Sequence, residues 1–565
     1  MQVSKTKSWA LGPMALALTG SAAAQSLADL RNDAATPGDV TTYGMGWSQQ
    51  RHTPLTQITP TNVRQLAPAW NLSLDNSANA SSQPLLINGV MYVATHSHTL
   101  AVDPVSGRQL WKTPIELPAD INGYLCCGIH SRGLAALDGV LYRTTLDAQV
   151  VALHMKDGKQ IWKVKAADYK QGYSMTHAPL IAGGVLITGI SGGEYGTRGF
   201  IDGWDLKTGE KKWHRWTTAT AGEKGADTWN PGRAETGGAP TWLTGTYDPE
   251  LDLVYWGTGN GGPWNPASRG GDSLYICSVL AIRPSTGEIV WHYQFSPGDP
   301  YDYDGTNELV LADLPIAGKA TKVLMQANRN GFFYVIDRTS GKLISATQYA
   351  RKINWASGID MKTGRPVDTA MTAMVRKTEE MTDFVEVWPS AFGGKNWMPM
   401  SYDPKSRLVY LNSIDLGMKV KYVKQQRPGG PNWYLGLELG GFVDPDDRNR
   451  GALVAWDPAA GKAVWRVLNK SPFWSGVLST DGGVVFTGSQ NGQFIAFEAK
   501  TGKRLWSFQT GSGITGLPIT WERDGRQYVT VLSGAATVYG ALAGDPDVAN
   551  VPAGGSVWTF ALPAR

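Results

Sequence analysis

One pattern of apolar and polar positions recurs along the chain: an apolar strand, a polar residue, a turn containing glycine, and then tryptophan. The copies are LAVDPVSGRQLW (100–111), VALHMKDGKQIW (151–162), DGWDLKTGEKKW (202–213), LAIRPSTGEIVW (280–291), LVAWDPAAGKAVW (453–465) and IAFEAKTGKRLW (495–506). A degenerate copy, YVIDRTSGKLIS (334–345), lacks the tryptophan. Each copy predicts a β-hairpin in which the tryptophan begins the outgoing strand.

The spacing of the copies starts near 40–50 residues, which is typical of the four-stranded sheets of a β-propeller. Seven copies are visible. An eighth unit would combine the early segment NVRQLAPAWNLSL (62–74) with the last strand, VWTFAL (557–562). Such a unit would close the ring and remove both exposed sheet edges. The sequence therefore predicts an all-β, eight-bladed propeller as one domain over 25–565, with the repeated tryptophans docked between adjacent blades.

The first residues have the three-part pattern of a secretory signal peptide. Lys5 and Lys7 precede the apolar stretch WALGPMALALTG, and small residues end at Ala24. We expect residues 1–24 to be removed and the mature protein to be soluble and periplasmic. No other segment approaches the ~20 uninterrupted apolar residues of a membrane span.

Composition excludes further classes of protein. Charged residues make up 18% of the 565, while the 67 glycines and 23 tryptophans agree with an all-β chain rich in turns. The net charge is +4 with no block of lysine and arginine, so nothing indicates nucleic-acid binding. No CxxCH motif occurs, and we expect no covalently attached c-type haem.

The segments between the repeats carry the chemistry. In chain order they are YLCCGIHSRG, MTHAPLIAGGVLITGISGGEYGTRG, GGAPTWLTGTYD, YWGTGNGGPWN, DPYDYDGTN, ANRNGFFYVIDR, FGGKNWMP and SPFWSGVLST. With them the chain resembles the PQQ-dependent quinoprotein alcohol dehydrogenases, the family of methanol and ethanol dehydrogenases, over nearly the whole mature sequence. The repeats alone would not decide, because a non-enzymatic scaffold protein of outer-membrane assembly also has them.

The resemblance implies a PQQ site between Cys126–Cys127 and Trp242. Neighbouring Cα atoms lie ~3.8 Å apart, so a bridge would be a strained eight-membered ring, and two buried thiols are the other interpretation. In the family such a ring lies on one face of PQQ and a tryptophan, here Trp242, on the other. Arg132 matches the arginine that binds a PQQ carboxylate. The other implied PQQ contacts are Thr176, Ser191, Gly192, Gly193, Arg329, Asn396, Trp397 and Trp474.

Two aspartates separated by one tyrosine, Asp302 and Asp304, stand in DPYDYDGTN. From the residues alone the stretch could be a solvated turn, an acid/base pair or half of a metal site. By resemblance Asp302 is the catalytic base, and Glu194, Asn260, Asp302 and Asp304 bind the metal. Family members that use a lanthanide have aspartate at the position of Asp304, whereas Ca²⁺-dependent members have alanine, serine or threonine. Three carboxylates suit a trivalent cation, with Ca²⁺ and a spectator Asp304 as the alternative.

Two departures from the family concern the pocket. A glutamate that contacts PQQ in the family is replaced by Ser81, and a Gly-Trp-Pro-Gly segment is replaced by LSGAATVYGAL. The second change predicts a roomier pocket for an alcohol larger than methanol, including bulky secondary alcohols. Trp264 is implied as a wall of the substrate pocket. The insertion over 425–445 contains Trp433 and is predicted to cover the pocket.

The predicted function is oxidation of an alcohol to an aldehyde or ketone. Asp302 takes the hydroxyl proton, hydride passes to PQQ, and a separate soluble cytochrome c takes the electrons. The alternatives are a cofactor-free propeller that binds proteins, and a PQQ-dependent sugar or aldehyde dehydrogenase. The oligomeric state is left open, with a homodimer among the options.

Overall fold

The computed structural model describes residues 25–31, 35–75, 80–430, 432–535 and 537–563. The predicted signal peptide lies outside the described residues. Within the described part of the chain, no helix is long and apolar enough to cross a membrane.

Strands dominate the described part of the chain. Eight of its sheets have four antiparallel strands each, one of them with a fifth, parallel strand added, and they are numbered here in chain order. Sheet 1 consists of Leu85–Ile87, Val90–Ala94, His98–Val102 and Gln109–Pro114, and sheet 2 consists of Ala135–Leu137, Val140–Thr144, Gln149–His154 and Gln160–Lys165. Sheet 3 consists of Leu180–Ala182, Val185–Thr188, Phe200–Trp204 and Lys211–Trp216, and sheet 4 consists of Thr246–Asp248, Leu253–Gly257, Ser278–Ile282 and Ile289–Gln294. Sheet 5 consists of Val310–Ile316, Lys319–Ala327, Phe332–Asp337 and Leu343–Gln348, and sheet 6 consists of Ser401–Asp403, Leu408–Ile414, Gly451–Asp457 and Lys462–Asn469. Sheet 7 consists of Leu478–Thr480, Val484–Gly488, Gln493–Glu498 and Arg504–Gln509, and sheet 8 consists of Ile519–Arg523, Arg526–Gly534, Gly555–Ala561 and Ala67–Ser73.

The remaining elements are short. His52–Thr53 pairs in parallel with the first strand of sheet 7. Insertions add the strands Ala356–Asp360, Arg365–Asp368, Val385–Val387, Gly417–Tyr422 and Leu437–Val443. The α-helices are Pro266–Arg269, Ala370–Val375 and Thr537–Ala543, and the 3₁₀ turns are Val63–Gln65, Ile121–Tyr124, Tyr169–Gln171, Gly193–Tyr195, Ala226–Thr228 and Ala234–Thr236.

The repeated tryptophans join neighbouring sheets, as the pattern predicts. The indole of Trp111 in sheet 1 donates to the carbonyl of Met155 in sheet 2, at 3.0 Å, and packs where a Cβ on Gly158 would stand. The same contact recurs for Trp70 with Pro104, Trp162 with Leu206, Trp213 with Pro284 and Trp465 with Ala499. Glycine is therefore required in this turn for two reasons: its φ is positive, and the absence of a side chain leaves room for the indole of the preceding unit.

Sheet 8 joins an early strand to the last strand of the described chain. Ala67–Ser73 pairs with Gly555–Ala561 in a register that runs from Ala67 opposite Ala561 to Ser73 opposite Ser556. Trp70 of this sheet docks on sheet 1, and Phe560 packs against Trp506 of sheet 7, with ring centroids 5.4 Å apart. The architecture is an all-β propeller, which confirms the predicted fold class.

The loops that carry the predicted chemistry are of two kinds. One kind precedes the first strand of a sheet, as at Cys126, Trp242 and Asp302, and the other joins the second strand to the third, as at Glu194 and Arg329. In an antiparallel sheet these two kinds of loop lie at the same end of the strands. Residues far apart in sequence are thus brought to one end of the propeller.

Candidate active site

A cavity of about 1290 Å³, including its opening to solvent, lies at this end of the propeller. Every predicted site residue lines it except Gly193 and Asn260, which lie directly behind its wall. The predicted residues that line it are Cys126, Cys127, Arg132, Thr176, Ser191, Gly192, Glu194, Trp242, Trp264, Asp302, Asp304, Arg329, Asn396, Trp397, Trp433 and Trp474.

Asp302 and Asp304 lie in a buried loop, which excludes the solvated turn. The tyrosines on either side of Asp302, Tyr301 and Tyr303, are fully buried and anchor the loop. Asp302 itself has a φ of 65°, a left-handed conformation that aspartate tolerates better than most residues. Both carboxylates reach one guanidinium: Arg329 Nη1 lies 2.8 Å from Asp302 Oδ2, and Nη2 lies 3.2 Å from Asp304 Oδ2.

Asp304 is held more tightly than Asp302. Its Oδ1 accepts a hydrogen bond from the backbone N–H of Asn260 at 2.5 Å, and its Oδ2 accepts one from the indole of Trp242 at 2.9 Å. A Cβ on Gly259 would lie 2.7 Å from Asp304 Oδ1, so only glycine allows this approach. Asp304 therefore connects the predicted metal site to the predicted face of the PQQ pocket.

The site carries more negative charge than its own cation balances. Glu194, Asp302 and Asp304 face one arginine, and burial raises the pKa of Glu194 to about 7. Burial also raises the pKa of Asp302 well above its usual range, against the effect of Arg329. Burial would lower the pKa of Arg329, but Asp304 and Asp302 together raise it above its usual value. Burial is the main cause of the shifts of Glu194 and Asp302, and repulsion from the neighbouring carboxylates adds to both, so a bound cation would favour their ionised forms.

The unpartnered atoms of the site fit a bound cation. Asn260 Oδ1 and Asp302 Oδ1 are buried oxygens without a hydrogen-bond donor, and they belong to residues predicted to bind the metal. Oxygen ligands of this kind, with two uncompensated negative charges, are what a hard cation requires. The three carboxylates do not converge within 4.8 Å of one another; among the described residues the grouping that does so is His52, Asp403 and Asp481 at the opposite end of the sheets.

The cofactor side of the cavity fits a flat, polycarboxylate ligand. Cys126 and Cys127 form a disulfide across neighbouring residues, with Cα atoms 3.8 Å apart. The Arg132 guanidinium lies between the rings of Trp242 and Trp397, 5.0 and 4.9 Å from their centroids. Its Nη1 donates to Thr176 Oγ1 at 2.6 Å, whereas its buried Nε has no acceptor. An aromatic wall with an arginine donor left over suits the predicted PQQ.

His130 is a cavity residue that the sequence interpretation missed, although it stands in the quoted motif YLCCGIHSRG. Its Nε2 lies 2.6 Å from the carbonyl oxygen of Cys127 and its Nδ1 lies 3.4 Å from Ser81 Oγ. Burial lowers the pKa of His130 to about 3, so the ring is neutral near pH 7. It therefore links the disulfide to Ser81, the residue that replaces the family's glutamate.

The rest of the cavity is apolar and was only partly predicted. Trp474 packs against Phe392 and Tyr539, with ring centroids 5.7 and 5.0 Å away. The last residues of the segment LSGAATVYGAL lie in the helix Thr537–Ala543, and its Tyr539 and Leu542 line the cavity. The other cavity residues missed from sequence are Leu125, Gly128, Ser174, Ala391, Phe392, Leu435, Leu439 and Phe442.

The insertion over 425–445 lies against the predicted metal site. The backbone N–H of Tyr434 donates to the carbonyl of Glu194 at 2.6 Å, and the indole of Trp433 donates to Tyr195 at 3.3 Å. The Trp264 backbone N–H donates to the carbonyl of Leu435 at 2.8 Å, and its indole nitrogen is buried without a partner. The insertion thus covers the cavity, as the sequence predicts.

Comparison with known proteins agrees with this geometry. Residues 41–352 match the family described as the glucose/ethanol/alcohol dehydrogenase β-propeller domain, and residues 449–546 match that of the outer membrane protein assembly factor BamB. The chain is 40% identical to the quinoprotein alcohol dehydrogenase PedH of Pseudomonas putida, over 98% of this chain and 96% of that protein. It is also 40% identical to a quinoprotein ethanol dehydrogenase of Pseudomonas aeruginosa, over 98% and 95%.

Solved structures extend the comparison. A europium-containing methanol dehydrogenase superposes with a TM-score of 0.88 at 33% identity, over 93% of this chain and 98% of that one. A quinohemoprotein alcohol dehydrogenase from Comamonas testosteroni superposes with a TM-score of 0.87 at 35% identity, over 94% and 82%.

Proposed function

This chain belongs to the PQQ-dependent quinoprotein alcohol dehydrogenases, and we propose which of its residues carry out the reaction and which class of alcohol it oxidises. Asp302 is the catalytic base. The observation that carries this assignment is the state of its carboxylate: Oδ2 is held by Arg329 at 2.8 Å, while Oδ1 has no donor and the residue lines the cavity. Arg329 thereby orients the carboxylate, and its unpaired oxygen, which can also contact the cation, accepts the hydroxyl proton. The cation would keep Asp302 ionised against the burial that raises its pKa.

When bound, PQQ would supply the hydride acceptor and the cation would supply a Lewis acid, neither of which the chain itself offers. Glu194, Asn260, Asp302 and Asp304 would hold the cation. Cys126–Cys127, Trp242 and Trp397 would enclose PQQ, with Arg132 donating to a carboxylate. Thr176, Ser191, Gly192, Gly193, Asn396 and Trp474 complete the pocket as predicted contacts.

Arg329 and the apolar walls of the cavity are the other parts of the chain that support the reaction. Arg329 holds Asp302 and Asp304 at once, so it fixes the base relative to the metal ligands. The aromatic side chains Phe392, Trp474 and Tyr539 exclude water from this side of the cavity. A drier site strengthens each charge interaction made there.

A lanthanide is the proposed cation. Glu194, Asp302 and Asp304 offer three anionic ligands beside the neutral amide oxygen of Asn260, and this number of carboxylates suits a trivalent ion better than Ca²⁺. Asp304 supplies the third carboxylate. The similarity to a europium-containing methanol dehydrogenase supports this choice of ion.

The proposed substrate is an alcohol larger than methanol. Trp264 and Trp433, with Leu435, Leu439 and Leu542, give the outer cavity an apolar lining of substantial size. An apolar lining favours substrates with a hydrocarbon or aromatic body.

We also propose the cellular setting and the closure of the fold. The enzyme acts in the periplasm and passes electrons to a separate soluble cytochrome c, which the signal-peptide pattern and the absence of CxxCH from the sequence support. The eight sheets form one closed ring of eight blades. Its support is that sheet 8 contacts both sheet 1 and sheet 7 through Trp70 and Phe560.

The deciding experiment reconstitutes metal-stripped protein with PQQ and either Ca²⁺ or a light lanthanide. Dye-linked oxidation is then measured with methanol, ethanol, a long primary alcohol and a bulky secondary alcohol. We expect activity with the lanthanide and a higher kcat/KM for the larger alcohols. Activity with Ca²⁺ alone would refute the choice of ion, and a preference for methanol would refute the choice of substrate.

A further inference from the structure

A short N-terminal segment, residues 40–53, contacts the first strands of five different sheets; we call it the axial segment. Its backbone bonds are Val40 with Leu86 of sheet 1, Trp47 with Tyr247 of sheet 4, Ser48 with Leu311 of sheet 5, Gln50 with Tyr402 of sheet 6 and Arg51 with Ser479 of sheet 7. A single segment reaches five sheets only where those sheets meet. The axial segment therefore runs around the inside of the propeller.

The axial segment places a charged side chain in the interior without a partner. Arg51 is 0% exposed, and its Nε, Nη1 and Nη2 all lack a hydrogen-bond acceptor. A guanidinium carries five N–H donors and stays protonated in proteins. Burying such a group without an acceptor is costly, so the structure calls for a ligand at this point.

A second polar group lies beside the first. The ring centroid of Tyr43, also in the axial segment, is 5.1 Å from Arg51 Cζ, and the Tyr43 hydroxyl interacts with the guanidinium, although no hydrogen bond of ordinary geometry joins them. One weak acceptor does not satisfy the five N–H donors of a buried guanidinium.

The charged groups around the pair do not supply the missing acceptor. The carboxylate of Glu308 acts on both side chains, but Lys395 Nζ lies 2.6 Å from its Oε2, and the Met400 N–H donates to its Oε1 at 2.8 Å. Arg132 also acts on Tyr43 and adds positive charge. The Glu308–Lys395 pair is neutral as a whole, and the charge of Arg51 is left uncompensated.

We propose that Arg51 and Tyr43 form an internal binding site for one small inorganic anion of halide size. The anion accepts from the guanidinium and the phenol hydroxyl and neutralises the charge, which water would not do. Neither residue lines the cofactor cavity, so the site is distinct from the one that binds PQQ. By tying Arg51 to Tyr43, the anion fixes the conformation of the axial segment, whose backbone bonds join the five sheets.

The test begins with the wild-type enzyme. Protein purified throughout in bromide and crystallised without chloride should show an anomalous bromide peak within hydrogen-bonding distance of the Arg51 guanidinium. Ordered waters alone at that position, or bromide only at surface arginines, would overturn the proposal. This measurement depends on no substitution.

A second measurement gives the stoichiometry. Protein desalted into a buffer free of halide, phosphate and sulfate is denatured, and the released anions are measured by ion chromatography. We expect one anion per chain from the wild type and from Arg51→Lys, which keeps the charge, and none from Arg51→Met. Equal release from Arg51→Met and wild type would overturn the proposal. Tyr43→Phe, which keeps the ring and removes the hydroxyl, should release less than one equivalent.

Discussion

Two groups of carboxylates lie at opposite ends of the propeller, and their hydrogen-bonding and charge requirements are satisfied to very different degrees. The site group is Glu194, Asp302 and Asp304 with Arg329; the far group is Asp403 and Asp481 with His52 and Lys405. In the far group His52 Nε2 lies 3.1 Å from Asp481 Oδ1, and Lys405 Nζ lies 2.6 Å from Asp481 Oδ2. The Asp403 carboxylate accepts hydrogen bonds from the backbone N–H of Lys405 at 2.9 Å and from the Ser406 hydroxyl at 2.7 Å.

The difference lies in what each group leaves open. In the described chain no buried side-chain atom of His52, Asp403 or Asp481 lacks a partner, whereas Asp302 Oδ1 and Asn260 Oδ1 do. The far group has its ligand atoms within 4.8 Å of one another and is completed by the protein itself. The site group is more dispersed and is completed only by a ligand. Proximity of carboxylates alone is therefore a poorer sign of function than unpartnered atoms and unbalanced charge.

The largest contrast between the two groups is expected from removing one carboxylate charge in each. Asp302→Asn should lower kcat by about 10²–10⁴-fold, because the base is lost while the side-chain shape remains. PQQ binding, followed by its absorbance, should be retained. Asp481→Asn is the matched control and should leave kcat unchanged. Full activity in Asp302→Asn would show that another group takes the proton.

The cations of the two groups offer the next contrast. The Arg329 side chain is 8% exposed and contacts two carboxylates, whereas that of Lys405 is 71% exposed. Arg329→Met should lower kcat by about 10²–10³-fold, as for the loss of one preorganised donor in a buried site. Lys405→Met should leave steady-state kinetics unchanged, since exposed ion pairs contribute about 0–1 kcal/mol. Equal kinetics in both variants would contradict the contrast.

A third prediction concerns the choice of metal within the site group. Asp304→Ala should weaken lanthanide-dependent activity by about 10–100-fold, by analogy with the loss of a supporting ligand interaction. Activity of the same variant with Ca²⁺ should fall less. Asp304→Asn separates charge from hydrogen bonding, because it keeps an acceptor for the Trp242 indole. If Ca²⁺ and lanthanide activities fall equally in both variants, Asp304 does not select the ion.

The smallest effect is expected on stability in the far group. Asp481→Asn removes a charged acceptor from His52 and Lys405 and should lower the free energy of unfolding by about 1–3 kcal/mol. Calorimetry of the variant should show a lower unfolding temperature with unchanged kcat. A rise in stability would mean that burying the carboxylate costs more free energy than its ion pairs and hydrogen bonds contribute.

Much of the site could be predicted from sequence because its residues stand in short motifs at fixed places between repeats. Cys126–Cys127, Trp242 and Asp302 stand in such motifs, the resemblance to a known family predicts their roles, and the structure brings them to one cavity. His130 and Tyr539 also line this cavity but were not predicted, although they stand in the segments YLCCGIHSRG and LSGAATVYGAL. Whether a histidine or tyrosine faces a cavity depends on packing against distant segments, such as Ser81 for His130 and Trp474 for Tyr539.

The sequence by itself determined the repeating unit, since strand, glycine turn and tryptophan are local features within about a dozen residues. Tertiary structure alone decided which charges meet. Arg329 bridges Asp302 and Asp304 from another loop, Arg51 meets Tyr43 without an acceptor, and Asp403 joins Asp481 across two sheets. The physical reason is that electrostatic energies depend on distance and burial, and packing sets both between segments that are remote in the chain.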